Sequence, residues 1–444
     1  MNFELPSDLE AYIEKLDSFI RKDILPLQNS HDNVRFFDHR REPSRTQWDN
    51  GVLPAREWEN LLGQARGMAD RAGFYRFPLP KLYHMASNPV YGGGVSLAND
   101  LQNEHSVVGN FPDFLMLYHW GNKQQKADLI PLRLRGEFRM TFGLIEIHHG
   151  SDATHMDTMA TACTLSGGTP GYRITGNKKW QTGAHSATHM LIFARTSGKA
   201  GNPTGITAFI VPREMPGIRF QSFEYTLNMP TDHATVILED VQVPATAMLG
   251  PLDNGLAIAQ TFTHENRIRQ AASSCGAAKF CIDRSVAYAR ERIVFGKPVS
   301  PNQAIQWSLV ELSTQAEMLR LLILRTATEM DALQQRFGRG TSSTLGQLAP
   351  WVAIEKRLGH KISMCNYYAN RLVTQAADNA IQVHGGNGYS RHQPFEHIWR
   401  HFRRYRITEG SEEVQMRKVA GYLFGYKDTG LETGDTRSGK QTKL

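Results

Sequence analysis

Residues 176–197 read GNKKWQTGAHSATHMLIFARTS. A polar run and a turn give way to HMLIFART at 189–196, a compact apolar run bounded by turn formers. That is the signature of a strand rather than a helix. ITAFIVP at 206–212 and ATVILEDVQVP at 234–244 repeat the pattern, punctuated by Gly, Pro and Asn. Residues 139–250 are therefore predicted to form a central β domain. Within the first stretch Trp180 and Thr182 stand two apart on a strand and so share a face. A large ring beside a hydroxyl offers a planar redox cofactor a stacking surface and a hydrogen bond. On its own, such a pair is more often cross-strand packing.

Outward from this centre the period becomes helical on both sides. SDLEAYIEKLDSFI at 7–20 carries apolar residues at three- and four-residue steps behind a Ser expected to cap it, and REWENLLGQARGMADRAGF at 56–74 stops at Gly. The polar segment 31–54 between them reads as a surface excursion. Residues 1–138 are thus expected to be an N-terminal helical domain. After GPLDNG, three long amphipathic runs at 270–292, 304–333 and 349–384 have apolar faces wide enough for a bundle over 251–426. The segment 427–444 has little to bury and reads as a flexible tail. The fold class is α+β: helical domain, β domain, helical bundle.

At 444 residues the chain is long enough for two or three domains and a deep site, and 41% hydrophobic against 21% charged residues is a globular balance. The formal net charge of +7 favours anionic ligands. The basic residues are scattered rather than blocked, so a nucleic-acid groove is not expected. The four cysteines, Cys163, Cys275, Cys281 and Cys365, have neither metal-ligand spacing nor the density of a disulfide scaffold, which fits a reducing, intracellular, cytoplasmic setting. No apolar run reaches the length of a membrane span, and the N-terminus has no signal or transit character. The chain ends in Thr-Lys-Leu, related to the peroxisomal Ser-Lys-Leu address.

Four short segments bear on chemistry. IHHGSDATH at 147–155 gathers His148, His149, Asp152 and His155, but in no usual ligand spacing, so no metal is expected. VHGGNGYS at 383–390 ends a long helix in a Gly-rich turn, able either to stop the helix or to bring backbone N–H groups to a phosphate. ERIVFGKPVSPNQAIQ at 291–306 reads as a plain connection between two helices. In RYRITEGSEEVQ at 404–415, a helix starting at Ser411 makes that residue an N-cap and explains Glu412 and Glu413 as first-turn acids. Glu409 precedes the cap and is left over for function, although a loop carboxylate paired with an Arg is also compatible.

Taken in this order, GNKKWQTG, LEDVQVPATAMLG, ERIVFGKPVSPNQAIQ, IQVHGGNGYS and YRITEGSEEVQ resemble the acyl-CoA dehydrogenase family, flavoenzymes with a helical, a β and a four-helix-bundle domain. The resemblance covers residues 100–425 well and the N-terminal third loosely. It implies FAD as cofactor, with Trp180 beside the isoalloxazine and Thr182 bonding near N5. Phe142, Leu144, Ile145 and Ser151 would line its other approaches, Ser151 also lying near CoA. Arg292, Phe295 and Gln303, completed by Gln382, Gly385 and Gly386, would reach the FAD of a neighbouring subunit, which implies a homodimer or homotetramer. Ser411 and Glu413 fall beside FAD, Gly410 on a substrate contact, and Arg267 with His264 at the nucleotide part of CoA. Glu409 falls on the catalytic base. The family's other location for that base is here Asn266, which cannot accept a proton usefully.

The resemblance implies α,β-dehydrogenation of an acyl-CoA thioester to a trans-2-enoyl-CoA, with an electron-transfer flavoprotein or oxygen as acceptor. An oxidase or monooxygenase on the same fold, or a nucleic-acid-binding relative, are the rival readings. Glu409 argues against a monooxygenase, which needs no α-proton base. Three departures from the family pattern stand out. IEIHHGSD replaces a Thr by Ile145 and crowds the turn with His148 and His149, which bears on cofactor geometry. The excursion at 31–54 resembles a larger branch of the family. The polar NDLQNEHSVVGN at 99–110 lies where apolar acyl-pocket residues are usual.

Overall fold

The computed structural model of the protein describes residues 6–37, 42–49, 53–77, 79, 107–224, 226–227, 233–338 and 344–425. Most of the polar segment 99–110, the tail 427–444 and its Thr-Lys-Leu lie outside the described residues. No described helix is long and apolar enough to cross a membrane.

Helix α1, Ser7–Phe19, runs through a π turn at Ile20–Ile24 into α2, Leu25–Asn29. Ser7 is the first helical residue rather than the cap. Pro6 holds the cap position and makes no side-chain bond. A small hairpin, β1 Thr46–Gln47 and β2 Leu53–Pro54, precedes α3, Arg56–Arg71, which ends ahead of Gly73 in the left-handed region. The polar excursion is not purely superficial. Its Phe36 is 2% exposed and packs in a core with Leu16, Ile20, Ile24 and Leu61, so one aromatic anchors an otherwise hydrophilic segment. Helices α4, Pro112–Trp120, and α5, Lys123–Leu134, follow, the second opened by a capping box of Asn122 and Gln125.

The centre is one sheet. Its strands are β3 Met140–Gly143, β4 Met159–Thr164, β5 Pro170–Thr182, β6 His189–Arg195, β7 Ile206–Pro212, β8 Ile218–Glu224, β9 His233–Pro244 and β10 Met248–Leu249. Their order is β10-β7-β6-β4-β5-β9-β8, with β3 parallel to β6. Period-two alternation sorts the run HMLIFAR between two cores. Leu191 and Phe193 join the core shared with the helices, while Met190, Ile192 and Ala194 join the core on the opposite face.

The chain then forms α6 Gly255–Glu291, β11 Ile293–Val294, β12 Lys297–Pro298, α7 Gln303–Gly338, α8 Thr344–His384, α9 Gly386–Tyr389, α10 Phe395–Arg403 and α11 Glu412–Phe424. Helices α6, α7 and α8 pack on one another, and α10 and α11 pack on α8. One core runs from Phe114 and Phe138 through Phe193 and Ile206 to Ile268, Ile362 and Phe402, so sheet and bundle are seated on each other. The segment expected to be a plain helix connection is a tight hairpin between β11 and β12. Phe295 and Gly296 both have positive φ, 52° and 75°, the backbone of a two-residue primed turn. A bulky residue is strained there, and the Phe295 ring is 101% exposed.

A bulge in β5 decides what the sheet presents. Against β9, Lys178 pairs with Val236 but Gln181 with Ala234, so one extra residue enters β5. The alternation changes phase: Lys178 and Gln181 are buried, Trp180 and Thr182 exposed, with Trp180 at φ 61°. Lys178 Nζ lies 2.9 Å from Glu146 Oε1, with the two side chains 0% and 1% exposed. Glu146 also accepts the N–H groups of Asp157 at 2.7 Å and Thr158 at 2.9 Å. Lys179 N–H donates to the Ile145 carbonyl at 2.9 Å, and Ile147 N–H to Asn177 Oδ1 at 2.9 Å. The segment after β3 is thereby stitched to the bulge.

Burial draws the Lys178 ammonium down to about 8 even with Glu146 beside it. Burial opposes ionisation of Glu146 too, but Lys178 and its N–H donors outweigh it and hold the carboxyl below its ordinary range. Removing one partner of such a pair strands the other charge. Lys178→Met should cost roughly 3–5 kcal/mol in urea unfolding, and Lys178→Met with Glu146→Gln should recover part of that loss.

Candidate active site

Between α10 and α11 the chain makes a 3-10 turn at Arg404–Arg406 and then passes through two consecutive left-handed residues, Glu409 at φ 57° and Gly410 at φ 86°. A non-glycine residue held there needs support, and Arg267 of α6 supplies it. Its Nε and Nη2 donate to the Glu409 carbonyl at 2.9 and 2.5 Å. A Cβ at position 410 would stand 3.0 Å from that same Nη2. Gln415 Nε2 donates to the Gly410 carbonyl at 2.7 Å and to Asn366 Oδ1 at 3.0 Å. With both carbonyls gripped, the Glu409 side chain turns to α6, where Asn266 Nδ2 donates to its Oε1 at 2.5 Å. The Glu409 N–H finds no acceptor among the described residues. Burial pushes the Glu409 carboxyl above its ordinary value, against the opposing pull of Arg267, Asn266 and Arg269.

Ser411 is the N-cap of α11, its Oγ accepting from Val414 N–H at 3.5 Å. Glu412 is more than a first-turn acid. Arg406 meets it through two bonds of 2.8 and 2.9 Å, and Arg371 through two of 3.1 and 3.3 Å. These partners hold its carboxyl down at about 2. Glu413 is exposed.

Helix α6 carries the link to the sheet. Phe262, four residues before Asn266 and so on the same helix face, stacks on Phe142 of β3 with ring centres 4.3 Å apart. Gln181 Nε2 donates to the Phe142 carbonyl at 3.2 Å, tying the bulge to that ring. Leu144 and Ile145 are half-buried just after β3, and Ser151 is exposed at the following turn. Trp180 is 47% exposed beside exposed Thr182. A half-uncovered indole next to a free-facing hydroxyl fits a planar tricyclic ring such as a flavin's. FAD is therefore compatible with the residues present.

Two expected substrate residues, His264 and Arg267, are buried. His264 is fully buried, its Nε2 2.7 Å from Glu355 Oε2, and Glu355 also meets Lys418 Nζ at 2.6 Å. Arg267 is 5% exposed and committed to the Glu409 carbonyl. Neither side chain is presented at a surface, because α6 turns both towards α8 and the Glu409 turn. At 147–155, His149 pairs with Asp157 at 3.0 Å and His155 with Asp152 at 2.8 Å. The described residues hold no group of side chains arranged for a metal ion.

Arg292, Phe295, Gln303, Gln382, Gly385 and Gly386 collect elsewhere. Tyr288 near the end of α6 stacks on His384 at the end of α8, ring centres 4.2 Å apart, and Asn387 Nδ2 donates to Tyr288 Oη at 3.2 Å. The hairpin and the Gly-rich turn thus share one end of the bundle. Gly385 has φ 59°, and a Cβ at Gly385 or Gly386 would meet nothing within 4 Å. Tyr288 is some 22 residues beyond Asn266 on one helix, about 33 Å at about 1.5 Å per residue.

Sequence reasoning missed four contributors: Lys178, Glu146, Phe262 and the hydrogen bond of Asn266. Lys178 alternates in step with Trp180 and Thr182, so only the bulge reveals that it points the other way. The step of four from Phe262 to Asn266 was legible, but not their partners in β3 and beyond α10.

These features define a class: a helical unit, a sheet with an exposed Trp/Thr face, and a bundle bearing a partly buried carboxylate. The models for the acyl-CoA dehydrogenase middle domain and C-terminal domain match residues 141–241 and 253–424. An acyl-CoA dehydrogenase of Bacillus subtilis is 31% identical over 322 residues, 72% of this chain and 76% of that one. The 3-(aryl)acrylate reductase of Clostridium sporogenes is 30% identical over 365 residues, 79% of this chain and 87% of that one. A solved structure of a putative acyl-CoA dehydrogenase from Mycobacterium abscessus aligns with TM-score 0.76 at 23% identity, covering 95% of this chain and 99% of that one. The chain belongs to the acyl-CoA dehydrogenase family, a family of flavoprotein oxidoreductases.

The Glu412 fork yields a pH-resolved expectation. A carboxyl lowered on folding adds stability that is complete above its unfolded value and is lost as pH falls through about 2. Glu412→Gln should therefore lower unfolding free energy by about 2–3 kcal/mol near neutrality. The gap from the unaltered protein should narrow below pH ~4.5 and close near pH 2 in denaturant titrations.

Proposed function

We propose that the protein catalyses α,β-dehydrogenation of an acyl-CoA thioester with FAD, Glu409 acting as the α-proton base. The observation that carries this reading is the Glu409 turn. It combines a carboxyl raised by burial, a hydrogen bond holding that carboxyl and an N–H with no acceptor among the described residues. A free carboxylate is too weak to deprotonate a carbon beside a thioester. Raising its affinity for the proton closes part of the gap. The Glu409 N–H is suited to donate to the thioester oxygen, which takes up charge as the proton leaves. Bound FAD would supply the acceptor for the β hydrogen, taken as hydride.

Phe142, Leu144, Ile145, Ser151, Trp180 and Thr182 would hold the flavin ring, with Ser411 and Glu413 beside it. Gly410 and Ser151 would touch substrate. Arg267 and His264 would act from behind, fixing the turn and α6. Arg292, Phe295, Gln303, Gln382, Gly385 and Gly386 lie too far along α6 for the same flavin and would serve that of a neighbouring subunit. A fully exposed Phe295 and an apolar stripe on α7, with Trp307 67%, Val310 62% and Met318 58% exposed, support such an oligomer. An electron-transfer flavoprotein or oxygen would reoxidise the cofactor. The division 1–138, 139–250 and 251–426 is retained with this reading.

Enoyl-CoA reduction is the second reading, favoured by the raised Glu409 carboxyl. A protonated Glu409 is the donor needed in the reverse direction, and the Clostridium sporogenes relative bears the name of a reductase.

Purified protein should show a flavin absorption band that a saturated acyl-CoA bleaches anaerobically. Absence of the band would sink the proposal. Glu409→Gln should keep the band and slow bleaching by about 10²–10⁴-fold, and full activity in that variant would disprove the base assignment. Trp307→Glu with Val310→Glu should lower the oligomeric mass in light scattering and release flavin together.

A further inference from the structure

Asn266 occupies the place where a second base could have stood, and its surroundings give it a defined task. It is 8% exposed in α6, and its amide is oriented from both ends. Arg269, one turn further on, donates to Asn266 Oδ1. Because that oxygen is committed to a guanidinium, the amide nitrogen can only face the other way, where it donates to Glu409 Oε1 at 2.5 Å. Arg267 between them holds the Glu409 main chain. Three residues within one turn of α6 therefore fix the backbone, the carboxylate and the donor to that carboxylate.

We propose that Asn266, locked by Arg269, is the positioning residue that sets the orientation and proton affinity of Glu409. This rests on the reading of Glu409 as the base. An amide donor favours the ionised carboxylate, so it opposes the burial that favours the acid. Such a balance suits a group that must be ionised before the reaction and protonated after it. The charged groups bearing on Glu409 are Arg267 and Arg269, both on α6. From α8, Glu355 acts on Arg267. Arginine stays charged throughout the working range, so Asn266 is the neutral element whose removal isolates the effect. Its amide also leaves a single proton acceptor in the pair. An aspartate there would put two carboxylates in contact, and such pairs share one proton.

The test reads Glu409 itself as well as turnover. In the flavin-loaded protein without substrate, the C=O stretch of protonated Glu409 is isolated as the infrared difference from Glu409→Gln and titrated with pH. Asn266→Ala should move that titration upward by about one to two pH units, the worth of one hydrogen bond to a charged group. The rising limb of the anaerobic bleaching rate against pH should move by the same amount, with the flavin band intact. Asn266→Asp, equal in size and so a safeguard against misfolding, should move both further up. If both variants titrate where the unaltered protein does, or shift downward, the positioning role is overturned. If instead Glu409→Gln bleaches at full rate, the base reading fails, and the infrared titration still reports whether Asn266 governs the carboxyl.

Discussion

The Glu409 carbonyl gripped by Nε and Nη2 of Arg267 is the contact on which the candidate site depends. A left-handed glutamate followed by a left-handed glycine is costly backbone, stable only while something outside the turn holds it. A buried guanidinium with fixed fork geometry can do so, whereas a lysine brings one nitrogen on a flexible stem, its donors free to rotate. Fixing the carbonyl also fixes the N–H on the same residue and the direction of the side chain. The candidate base, its donor and the backbone group suited to the thioester oxygen thus descend from one bidentate contact between α6 and the segment before α11.

The sheet side of the site depends on a different constraint, the register shift in β5. Without the extra residue, Lys178, Trp180 and Thr182 would share a face. The bulge sends Lys178 inward to Glu146 and so takes it off the face that Trp180 and Thr182 present. Glu146 belongs to the segment carrying Leu144, Ile145 and Ser151, so the buried pair joins the two walls that a flat ring would lie between. Such a pair adds little net stability compared with apolar packing, yet it tolerates few alternative arrangements. That suits a site requiring fixed spacing more than strength.

What could be read from the sequence was local. The N-cap at Ser411, the acids behind it and the isolation of Glu409 all lie within a few residues, and the structure keeps that arrangement. The strand character of HMLIFAR follows from its own composition, and its two-sided burial explains the unbroken apolar run. What could not be read was set by distant partners. The phase of Lys178 depends on how β9 registers against β5. The burial of His264 depends on Glu355 and Lys418, roughly 90 and 150 residues away, and helix propensity carries no trace of either. Phe36 sits in a polar segment yet fills a core built by α1 and α3. The Phe295–Gly296 hairpin has a bulky residue where turn statistics favour Asn or Gly, so composition pointed to a plain connection.

That last misfit bears on more than one chain. A strained, fully exposed aromatic at the tip of a hairpin costs stability that no contact among the described residues offsets. It shares one end of the bundle with a Gly-rich turn open enough to admit a ligand backbone. Along α6, Tyr288 at that end is about 33 Å from Asn266, the residue that bonds Glu409. A ligand held at that end is therefore about a helix length away from one held beside Glu409. If both ends serve one kind of ligand, each would serve a different copy of it, and the exposed stripe on α7 would give a second chain a surface on which to deliver its hairpin. The length of α6 would then set two things at once: where the candidate base stands in its own subunit, and how far away a neighbour's cofactor would lie.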